Sequence, residues 1–399
     1  MADLDFLDFL AFDADNHYYE PVDAFTRHLD PAWGPRTVQW SEIDGRKYPL
    51  VGGRVNRAVG NPTFDPIAKA GAMHDYFRGN LDGRNPLDFL KDREPIPAQY
   101  REPAARLAVM DRQGLEKIWL FPTLGVLYEE PLKHDPEAVT VAFTAFNRWL
   151  LDDWTFNFED RIFAAPYIAM ASADHAVIEL EFALDHGAHV VCMRPAAPTT
   201  ATGRISPFDR AYDGFWGLAN EAGIPVVIHA GDSGHSAQGY VPDEQFSAAF
   251  GGGGFGPSLR MFAIERAAAD FLIQAVFEDV FVRFPNLRMC SIENGSDYLG
   301  DLFRKLRSTA KKLPWFFTHG DPVDLFREHV WINPFWEDDP YEIVGLMGAD
   351  RVIFGSDWPH IEGMPEPLDY VPEVKELDPD ALRRVMRDNA WELNTLRPG

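Results

Sequence analysis

The sequence has few basic residues, few cysteines and no long apolar run. Its 399 residues include 37 Lys and Arg against 62 Asp and Glu, which gives a formal net charge of −25. Binding to polyanions requires clustered cations, so nucleic acid and anionic membrane surfaces are poor partners for this chain. No apolar run approaches the roughly 20 residues that a membrane helix needs. We therefore expect a small-molecule partner, with no nucleic acid and no membrane.

Only two cysteines are present, Cys192 and Cys290, and both lie within apolar runs. This spacing excludes a disulfide framework of the kind found in small secreted domains. The first ten residues alternate acidic and apolar side chains, without the basic stretch and cleavage site of a secretory signal. These features predict a cytoplasmic protein.

Short apolar runs alternate with segments of helical periodicity, as in proteins with parallel sheets. Eight candidate strands can be read from the sequence: 9–15, 118–123, 162–170, 189–195, 225–230, 287–293, 330–335 and 352–357. That number predicts an α/β fold of the (β/α)₈ TIM-barrel type, folded as a single domain over residues 1–399. The alternative is a doubly wound sheet, but no glycine-rich phosphate-binding turn follows the first strand.

Residues 31–103 interrupt this alternation. The segment is rich in Gly, Pro, Arg and aromatic residues and has little sustained periodicity. Because it leaves the carboxyl end of the first strand, it should lie over the mouth of the barrel, where active sites are found. We interpret it as an insertion that forms a lid or a dimer contact; a surface decoration is the alternative.

Four of the predicted strands end in side chains that can bind metals or transfer protons. Asp15 and His17 end the first strand, His229 ends the fifth, Glu293 the sixth and Asp357 the eighth. Residues two apart in an extended chain share a face, so Asp15 and His17 can point together into the mouth. With His229 and Asp357 they make a nitrogen and oxygen ligand set suited to Zn²⁺, Mn²⁺ or Fe²⁺.

Several of these residues also have simpler interpretations. A lone aspartate at a strand end often caps a helix or forms a turn, and His229 could be a hydrogen-bonded core histidine. Glu293 could belong to a buried ion pair rather than to catalysis. His360 could transfer protons, orient a metal ligand or cap a helix, and His235 is a further catalytic candidate on a loop.

At this point the sequence resembles the amidohydrolase superfamily, in the branch related to aminocarboxymuconate-semialdehyde decarboxylase. The resemblance rests on four stretches: Asp13-Ala-Asp-Asn-His-Tyr-Tyr-Glu-Pro21, Val227-Ile-His-Ala-Gly231, Phe284-Pro-Asn-Leu-Arg288 and Phe354-Gly-Ser-Asp-Trp-Pro-His360. It implies a metal held by two residues of the first strand, a histidine of the fifth and an aspartate of the eighth. The corresponding residues here are Asp15, His17, His229 and Asp357, with Asp13 in place of Asp15 if the register shifts by two.

The chain departs from this family pattern at three positions. Asp15 stands where many relatives have a histidine, and Glu293 stands where many have a catalytic histidine. Arg194 stands where binuclear relatives carry the lysine that bridges two metals. Arginine stays protonated and cannot be carbamylated, so a single metal ion is expected, with zinc the first choice and manganese or iron the alternatives.

The resemblance implies non-oxidative decarboxylation of an aromatic or unsaturated carboxylic acid. Asp357, Glu293, His235 and His360 are the catalytic candidates, and Arg194 and Trp358 would contact a planar carboxylic acid. The alternative is a hydrolase that cleaves a C–C, amide or ester bond with metal-activated water and Asp357 as base. A non-catalytic barrel is a third possibility, but it would not be expected to retain four strand-end ligands. Relatives of this branch are commonly dimers, which predicts a homodimer.

Overall fold

The computed structural model describes residues 7–234, 262–335 and 337–397, and these residues form an α/β structure. The α/β class predicted from the sequence is confirmed. The strands are β1 Ala11–Tyr18, β2 Val38–Ile43, β3 Arg46–Val51, β4 Arg54–Val55, β5 Ile67–Ala68, β6 Arg93–Glu94, β7 Leu115–Pro122, β8 Ile162–Ala164, β9 Val191–Met193, β10 Thr199–Thr200, β11 Gly203–Arg204, β12 Pro225–His229, β13 Arg288–Ile292 and β14 Val330–Ile332.

Helices follow most of the parallel strands. They are α1 His74–Phe77, α2 Pro86–Phe89, α3 Pro103–Gln113, α4 Gly125–Leu132, α5 Pro136–Asp153, α6 Ala173–Asp185, α7 Asp213–Ala222, α8 Ala263–Phe277, α9 Val280–Arg283, α10 Leu299–Lys312, α11 Pro322–His329, α12 Pro340–Met347, α13 Val371–Val374, α14 Pro379–Arg383 and α15 Asn389–Asn394. Within the described ranges, no helix is both long enough and apolar enough to cross a lipid bilayer.

Seven of the eight runs predicted from the sequence contain a parallel strand. One sheet has the order β1-β7-β8 and another the order β14-β13-β12-β9. A parallel bridge between Tyr167 and Cys192 links the β8 end of the first sheet to β9 in the second. The carboxyl ends of all seven strands therefore lie at one edge, where the polar side chains that follow them can meet.

The eighth predicted run, residues 352–357, is not a regular strand. It still bridges the two sheets, because Val352 pairs with Ile332 and Trp358 pairs with Asn16, both in parallel orientation. A side chain takes the place of a backbone acceptor here: Asp13 accepts hydrogen bonds from the Ser356 backbone N–H (2.9 Å) and hydroxyl (2.5 Å). A sequence pattern does not reveal such a substitution.

The strands of the parallel sheets are buried on both faces, and apolar residues predominate in most of them. Every residue of β1, β12 and β13 is buried, including the aliphatic run Val226, Val227 and Ile228 of β12. Parallel sheets covered by helices favour such continuous apolar runs. Helix α5 shows the matching pattern outside the sheet: Asp135 caps it by accepting the Ala138 N–H, and Pro136 occupies the first turn.

Residues 31–103 contain two small antiparallel sheets, which the sequence pattern did not predict. Strands β2, β3 and β4 form one, and β5 pairs with β6 in the other. The turn between β2 and β3 is Asp44-Gly45, with φ of 50° and 74°, the left-handed pair that two-residue hairpins favour. The strands of these sheets have only two to six residues, so their alternation is too short to stand out in the sequence.

Candidate metal centre and active site

The side chains at the carboxyl ends of β1 and β12 meet around the Asp15 carboxylate. Asp15 Oδ1 lies 3.3 Å from His17 Nε2 and 3.4 Å from His229 Nε2. The two imidazole rings are nearly perpendicular, with centroids 5.0 Å apart. Two nitrogen atoms and one carboxylate oxygen therefore converge on a single point from two strands.

Two more carboxylates complete this cluster. Asp357 Oδ1 is 3.3 Å from His17 Nε2, and Glu293 Oε2 is 3.6 Å from His17 Nε2 and 3.4 Å from His229 Nε2. Asp15, His17, His229 and Glu293 each offer a donor atom, and these atoms all lie within 4.8 Å of one another. The arrangement brings together the four residues predicted as metal ligands and the predicted catalytic Glu293.

The hydrogen bonding of these residues tests whether the cluster fits a cation. Both ring nitrogens of His17 and Asp357 Oδ1 are buried, yet none of them has a hydrogen-bond partner within the described residues. Buried polar atoms are nearly always satisfied, so unsatisfied atoms that face one another point to a missing partner. His229 Nδ1 donates to the Ala230 carbonyl at 2.9 Å, which leaves its Nε2 lone pair facing the cluster. The donor set fits a divalent cation.

The charges of the cluster are unbalanced without such a cation. Burial raises the pKa of Asp15, but the nearby His17 and His229, whose Nε2 atoms lie 3.3 and 3.4 Å from its Oδ1, outweigh burial and lower it. Burial lowers the pKa of His17, but Asp15 and Glu293 together raise it to about 9. Burial, Glu293 and Glu362 raise the pKa of Asp357 well above its ordinary value. A protonated His17 thus supplies the positive charge that a bound cation would otherwise supply to the carboxylates.

The backbone is strained where two of these carboxylates leave their strands. Glu293 has φ of 57° and Asp357 has φ of 56°, in the left-handed region that only glycine adopts without cost. Gly355 allows the chain to pass close to the first strand, since a Cβ atom there would lie 2.4 Å from Asp15 Cβ. Backbone strain of this kind is concentrated at functional sites.

His360 contacts the cluster from its outer side. Its ring stacks on His17 with centroids 3.9 Å apart, and its Nδ1 lies 2.6 Å from Asp357 Oδ1. The Thr123 hydroxyl donates to the Tyr18 carbonyl at 2.7 Å, so His360 Nε2, 2.9 Å away, must donate to that hydroxyl. Burial together with His17 and His229 lowers the pKa of His360 well below its ordinary value. A neutral His360 therefore turns its Nδ1 lone pair toward Asp357 Oδ1, and neither of these buried atoms has a hydrogen-bond partner within the described residues.

Asp13, the alternative to Asp15, lies outside the cluster. Besides the two hydrogen bonds from Ser356, it accepts the Asn16 side-chain amide at 2.6 Å. Burial raises the pKa of Asp13 to about 7, and the hydrogen bond from Ser356 only partly opposes this effect. Its oxygens therefore hold the end of the eighth run against β1, while Asp15 faces the histidines.

The cluster forms one end of a cavity of about 280 Å³. His17, Glu293 and His360 line it, together with Thr123 and with Glu362, whose pKa is raised to about 7 by burial and by Glu293. Apolar residues of the 31–103 segment form much of the remaining wall. They are Val59, Phe64, Pro66, Ile67, Ala68, Met73, Phe77, Leu87 and Leu90.

The structure does not bring the predicted substrate contacts Arg194 and Trp358 into this lining. Arg194 Nη1 donates to Glu130 Oε2 at 2.5 Å, and its Nε is 3.3 Å from Glu129 Oε2. Trp358 is buried against the Arg106 guanidinium, whose carbon lies 4.6 Å from the ring centroid. The predicted His235 lies outside the described residues.

Sequence reasoning missed Arg106, Thr123 and Glu362. The buried Arg106 donates to Asn16 Oδ1 and to the His17 carbonyl, both at 2.5 Å, so it fixes the end of β1 beneath the ligands. Arg106 lies in a helix and Thr123 follows β7, and no motif marks either residue. Glu362 follows the Asp357-Trp-Pro-His360 motif by two residues, and this closeness was the one indication the sequence offered.

The fold and the site together define a metal-dependent enzyme, and the comparisons identify its family. The profile of the amidohydrolase family matches residues 83–393. An amidohydrolase structure from Mycobacterium avium subsp. paratuberculosis K-10 is 39% identical, covers 98% of this chain and 99% of its own, and has a TM-score of 0.90. The chain therefore belongs to the amidohydrolase family, which confirms the resemblance inferred from the sequence.

More distant structures share the fold. The 2,6-dihydroxybenzoate decarboxylase from Rhizobium is 15% identical over 97% of this chain and 98% of its own, with a TM-score of 0.59. A manganese-bound 5-carboxyvanillate decarboxylase from Novosphingobium aromaticivorans DSM 12444 is 14% identical over 97% of each chain, also with a TM-score of 0.59. No curated protein sequence matches the chain.

Proposed function

We propose that this enzyme is a non-oxidative decarboxylase of an aromatic or unsaturated carboxylic acid. The observation that carries the proposal is the set of unsatisfied atoms of His17, which lines a largely apolar cavity, and of Asp357, whose Oδ1 lies 3.3 Å from His17 Nε2. The decarboxylases that share the fold act on compact aromatic acids, and two of those structures contain manganese. An acid that binds at the cluster would have its hydrocarbon part in the cavity.

The proposed architecture is a single (β/α)₈ barrel over residues 1–399, with residues 31–103 as an insertion over its mouth. Parallel pairings that run from β1 through β7, β8, β9, β12, β13 and β14 to residues 352–358 and back to β1 support this architecture. Half of the lining residues of the cavity come from the 31–103 segment. A lid at this place would exclude water from the reacting centre.

Asp15, His17, His229 and Asp357 would hold one divalent metal ion. Zinc is the prediction from the sequence, and the manganese in two structural neighbours makes Mn²⁺ the direct alternative. When bound, the ion would supply positive charge that attracts the substrate carboxylate or an adjacent hydroxyl. Arg194 is already paired with Glu129 and Glu130, so we expect the carboxylate at the cluster and not at this arginine.

The residues of the chain would carry the proton chemistry. Glu293 lines the cavity beside both histidines, which places a carboxyl group where it can deliver a proton to the ring carbon that bears the carboxylate. The bond from that carbon to the carboxylate then breaks, its electron pair returns to the ring, and CO₂ leaves. Glu293 recovers its proton from water.

The test is turnover of a panel of hydroxybenzoates, muconate-type acids and alkyl-substituted or fused-ring aromatic acids by Mn²⁺- or Zn²⁺-loaded enzyme, with CO₂ release as the readout. In D₂O a decarboxylase places one deuterium at the vacated carbon, and in H₂¹⁸O it places no solvent oxygen in the organic product. Incorporation of ¹⁸O would instead identify the alternative, a metal-dependent hydrolase. If fully metallated enzyme releases no CO₂ from any acid of the panel, the decarboxylase proposal fails.

Two further predictions from the sequence belong to this proposal. A homodimer, with the 31–103 segment as a contact, would sediment at twice the 45.1 kDa of the chain. A cytoplasmic location would place the tagged protein in the cytosolic fraction of fractionated cells.

A further inference from the structure

The cavity is too apolar for a compact, hydroxylated acid. Of the 24 residues in the described ranges that line it, 16 are glycine or carry purely apolar side chains: Val59, Gly60, Phe64, Pro66, Ile67, Ala68, Met73, Phe77, Leu87, Leu90, Val126, Leu127, Ala230, Gly231, Ile264 and Ile361. Ring hydroxyls of a substrate that faced this wall would lose their hydrogen bonds to water without replacement. The wall instead suits a hydrocarbon surface.

Three of the polar lining groups outside the cluster, those of Asn61, Tyr19 and Thr123, are already engaged within the protein. Arg93, which donates its Nε to the Leu90 carbonyl at 3.0 Å, and Glu362 also line the cavity. Asn61 donates its amide to the Pro66 carbonyl at 3.0 Å and accepts from the Thr63 hydroxyl at 2.8 Å. The Tyr19 hydroxyl donates to the Pro359 carbonyl at 3.0 Å, and Thr123 donates to the Tyr18 carbonyl. The side chains of Asn61, Tyr19 and Thr123 therefore have little hydrogen-bonding capacity left for additional polar substituents of a substrate.

The size of the cavity also exceeds what one aromatic ring needs. A cavity of roughly 150 Å³ suffices to hold benzene, whereas this one measures about 280 Å³. The additional space could hold an alkyl chain or a second ring. Small-molecule sites of this type place a few polar groups at one end and apolar walls around the rest.

The apolar wall is attached to the candidate active-site loop. The Gly71 N–H donates to the His360 carbonyl at 2.9 Å, and the Met73 N–H donates to the Ile361 carbonyl at 2.7 Å. Phe64, Ile67 and Met73 are buried, and the Phe64 ring packs on Tyr19 with centroids 4.5 Å apart. These contacts set the position of the wall relative to the cluster, so its apolar character bears directly on the substrate.

We propose that the substrate is a carboxylic acid that carries a bulky, uncharged hydrocarbon group, such as an alkyl chain or a second fused ring, and that this group packs against the wall formed by residues 59–90. The proposal rests on the proposed function only in placing the carboxylate at the cluster. The hydrocarbon group gains affinity because its burial removes apolar surface from water. A compact hydroxybenzoate would therefore be a poor ligand in comparison.

The experiment compares two pairs of probes on Mn²⁺-loaded enzyme by isothermal titration calorimetry: benzoate with 4-butylbenzoate, and phenol with 4-butylphenol. Each buried carbon of the chain should tighten binding at least roughly threefold, so burial of the four carbons of the butyl group should improve the dissociation constant by about 80-fold or more. Equal binding of benzoate and 4-butylbenzoate to the wild type would overturn the proposal.

Leucine-to-asparagine substitutions at three positions test where on the protein the butyl group binds. Leu87 and Leu90 line the cavity, whereas Leu81 lies in the same segment outside the lining and is 96% exposed. Leu87→Asn and Leu90→Asn should each reduce the butyl preference at least fivefold, and Leu81→Asn should leave it unchanged. Leu87 is half exposed, so its variant should fold even if Leu90→Asn does not. An undiminished butyl preference in Leu87→Asn and in any folded Leu90→Asn would also overturn the proposal.

The phenol pair separates this inference from the proposed function. If 4-butylphenol outbinds phenol while no acid releases CO₂, the decarboxylase proposal fails and the hydrocarbon pocket stands. If acids are decarboxylated but the butyl group adds no affinity to either probe, the hydrocarbon pocket fails and the decarboxylase stands.

Discussion

Two buried groups of charged side chains lie near the carboxyl ends of neighbouring strands, and they differ in how well they are satisfied. Around Arg194, two cations balance two carboxylates: Arg194 lies between Glu129 and Glu130, and Lys133 pairs with Glu130. The Tyr167 hydroxyl also donates to Glu129 at 2.7 Å. Around His17, three carboxylates converge on two histidines, and several buried polar atoms lack hydrogen bonds within the described residues. The first group is electrically and geometrically complete, and the second is not.

The difference separates a structural group from a functional one. A buried ion pair with its hydrogen bonds satisfied holds elements together, and it becomes costly only when one partner is removed. A buried group with excess negative charge and unsatisfied donors is stable only if a cation completes it. We therefore propose that the Arg194 group belongs to the framework and the His17 group binds the metal, and the four predictions below test the roles of these buried residues.

The largest effect is expected from Asp357→Asn. The amide cannot supply the carboxylate charge that the cluster offers a cation, so turnover of any accepted acid should fall about 1000-fold. Steady-state kinetics with saturating Mn²⁺ measures the loss. Asp350→Asn, at an exposed aspartate, is the matched control and should retain wild-type turnover. More than a tenth of wild-type activity in Asp357→Asn would remove Asp357 from the active centre.

Arg194→Met should damage the fold and leave the metal in place. The change leaves Glu129 and Glu130 buried without Arg194, which costs about 3–5 kcal/mol of unfolding free energy. Denaturant unfolding measures this cost, and Arg210→Met, at an exposed arginine, should change stability by less than about 0.5 kcal/mol. If Arg194→Met instead loses its metal at unchanged stability, the contrast between the two groups is wrong.

Glu20→Gln should stabilise the protein in a pH-dependent way. Glu20 Oε1 accepts the Leu124 and Gly125 N–H groups at 2.8 and 3.1 Å, and burial raises the pKa of Glu20 to about 7. Between its unfolded and folded pKa values the folded state binds more protons, so wild-type stability falls as the pH rises through this window.

Glutamine keeps the two hydrogen bonds but removes the titration. The variant should gain about 3 kcal/mol over wild type at pH 8 and only about 1 kcal/mol at pH 5. Unfolding curves of both proteins at the two pH values check this. A gain independent of pH would mean that Glu20 is not the titrating group.

The smallest effect compares the same substitution two residues apart on β1. Asp13→Asn should keep its metal, because the Asp13 carboxylate is hydrogen-bonded to Asn16 and Ser356 and does not face the histidines. Asp15→Asn should weaken metal binding about 10- to 100-fold with little change in apo stability. Calorimetric Mn²⁺ titration and unfolding curves separate the two. Equal metal affinity in both variants would mean that Asp15 is not favoured over Asp13 as the metal ligand of β1.

The position of the cluster could be predicted from the sequence, because parallel strands bring their carboxyl ends to one edge. Asp15, His17, His229 and Glu293 each end or follow an apolar run, and the structure brings their side chains together. The surroundings could not be predicted in the same way. The partners of Arg194 lie 64 and 65 residues earlier in α4, and no local pattern shows that Glu129 and Glu130 face this arginine.

Distance along the chain also explains why the contacts of Arg106 and Asp13 could not be predicted from the sequence. Arg106 supports β1 from a helix about 90 residues away, and the Asp13 carboxylate reaches Ser356 across 343 residues. The hairpin around Asp44-Gly45 was missed for the opposite reason, since strands of six residues or fewer with half-exposed faces give a weak alternation. Long-range side-chain contacts and short strands are the features that single-sequence patterns convey least.

Metal stoichiometry is the most direct test of the central claim that Asp15, His17, His229 and Asp357 bind one divalent ion. Wild type and His229→Ala would be loaded separately with Mn²⁺ and Zn²⁺, dialysed free of excess metal and measured by inductively coupled plasma mass spectrometry. We predict one ion per wild-type chain with at least one of the two metals, and less than about a tenth of an ion in folded His229→Ala. No stoichiometric ion in wild type, or full retention in His229→Ala, would contradict the claim.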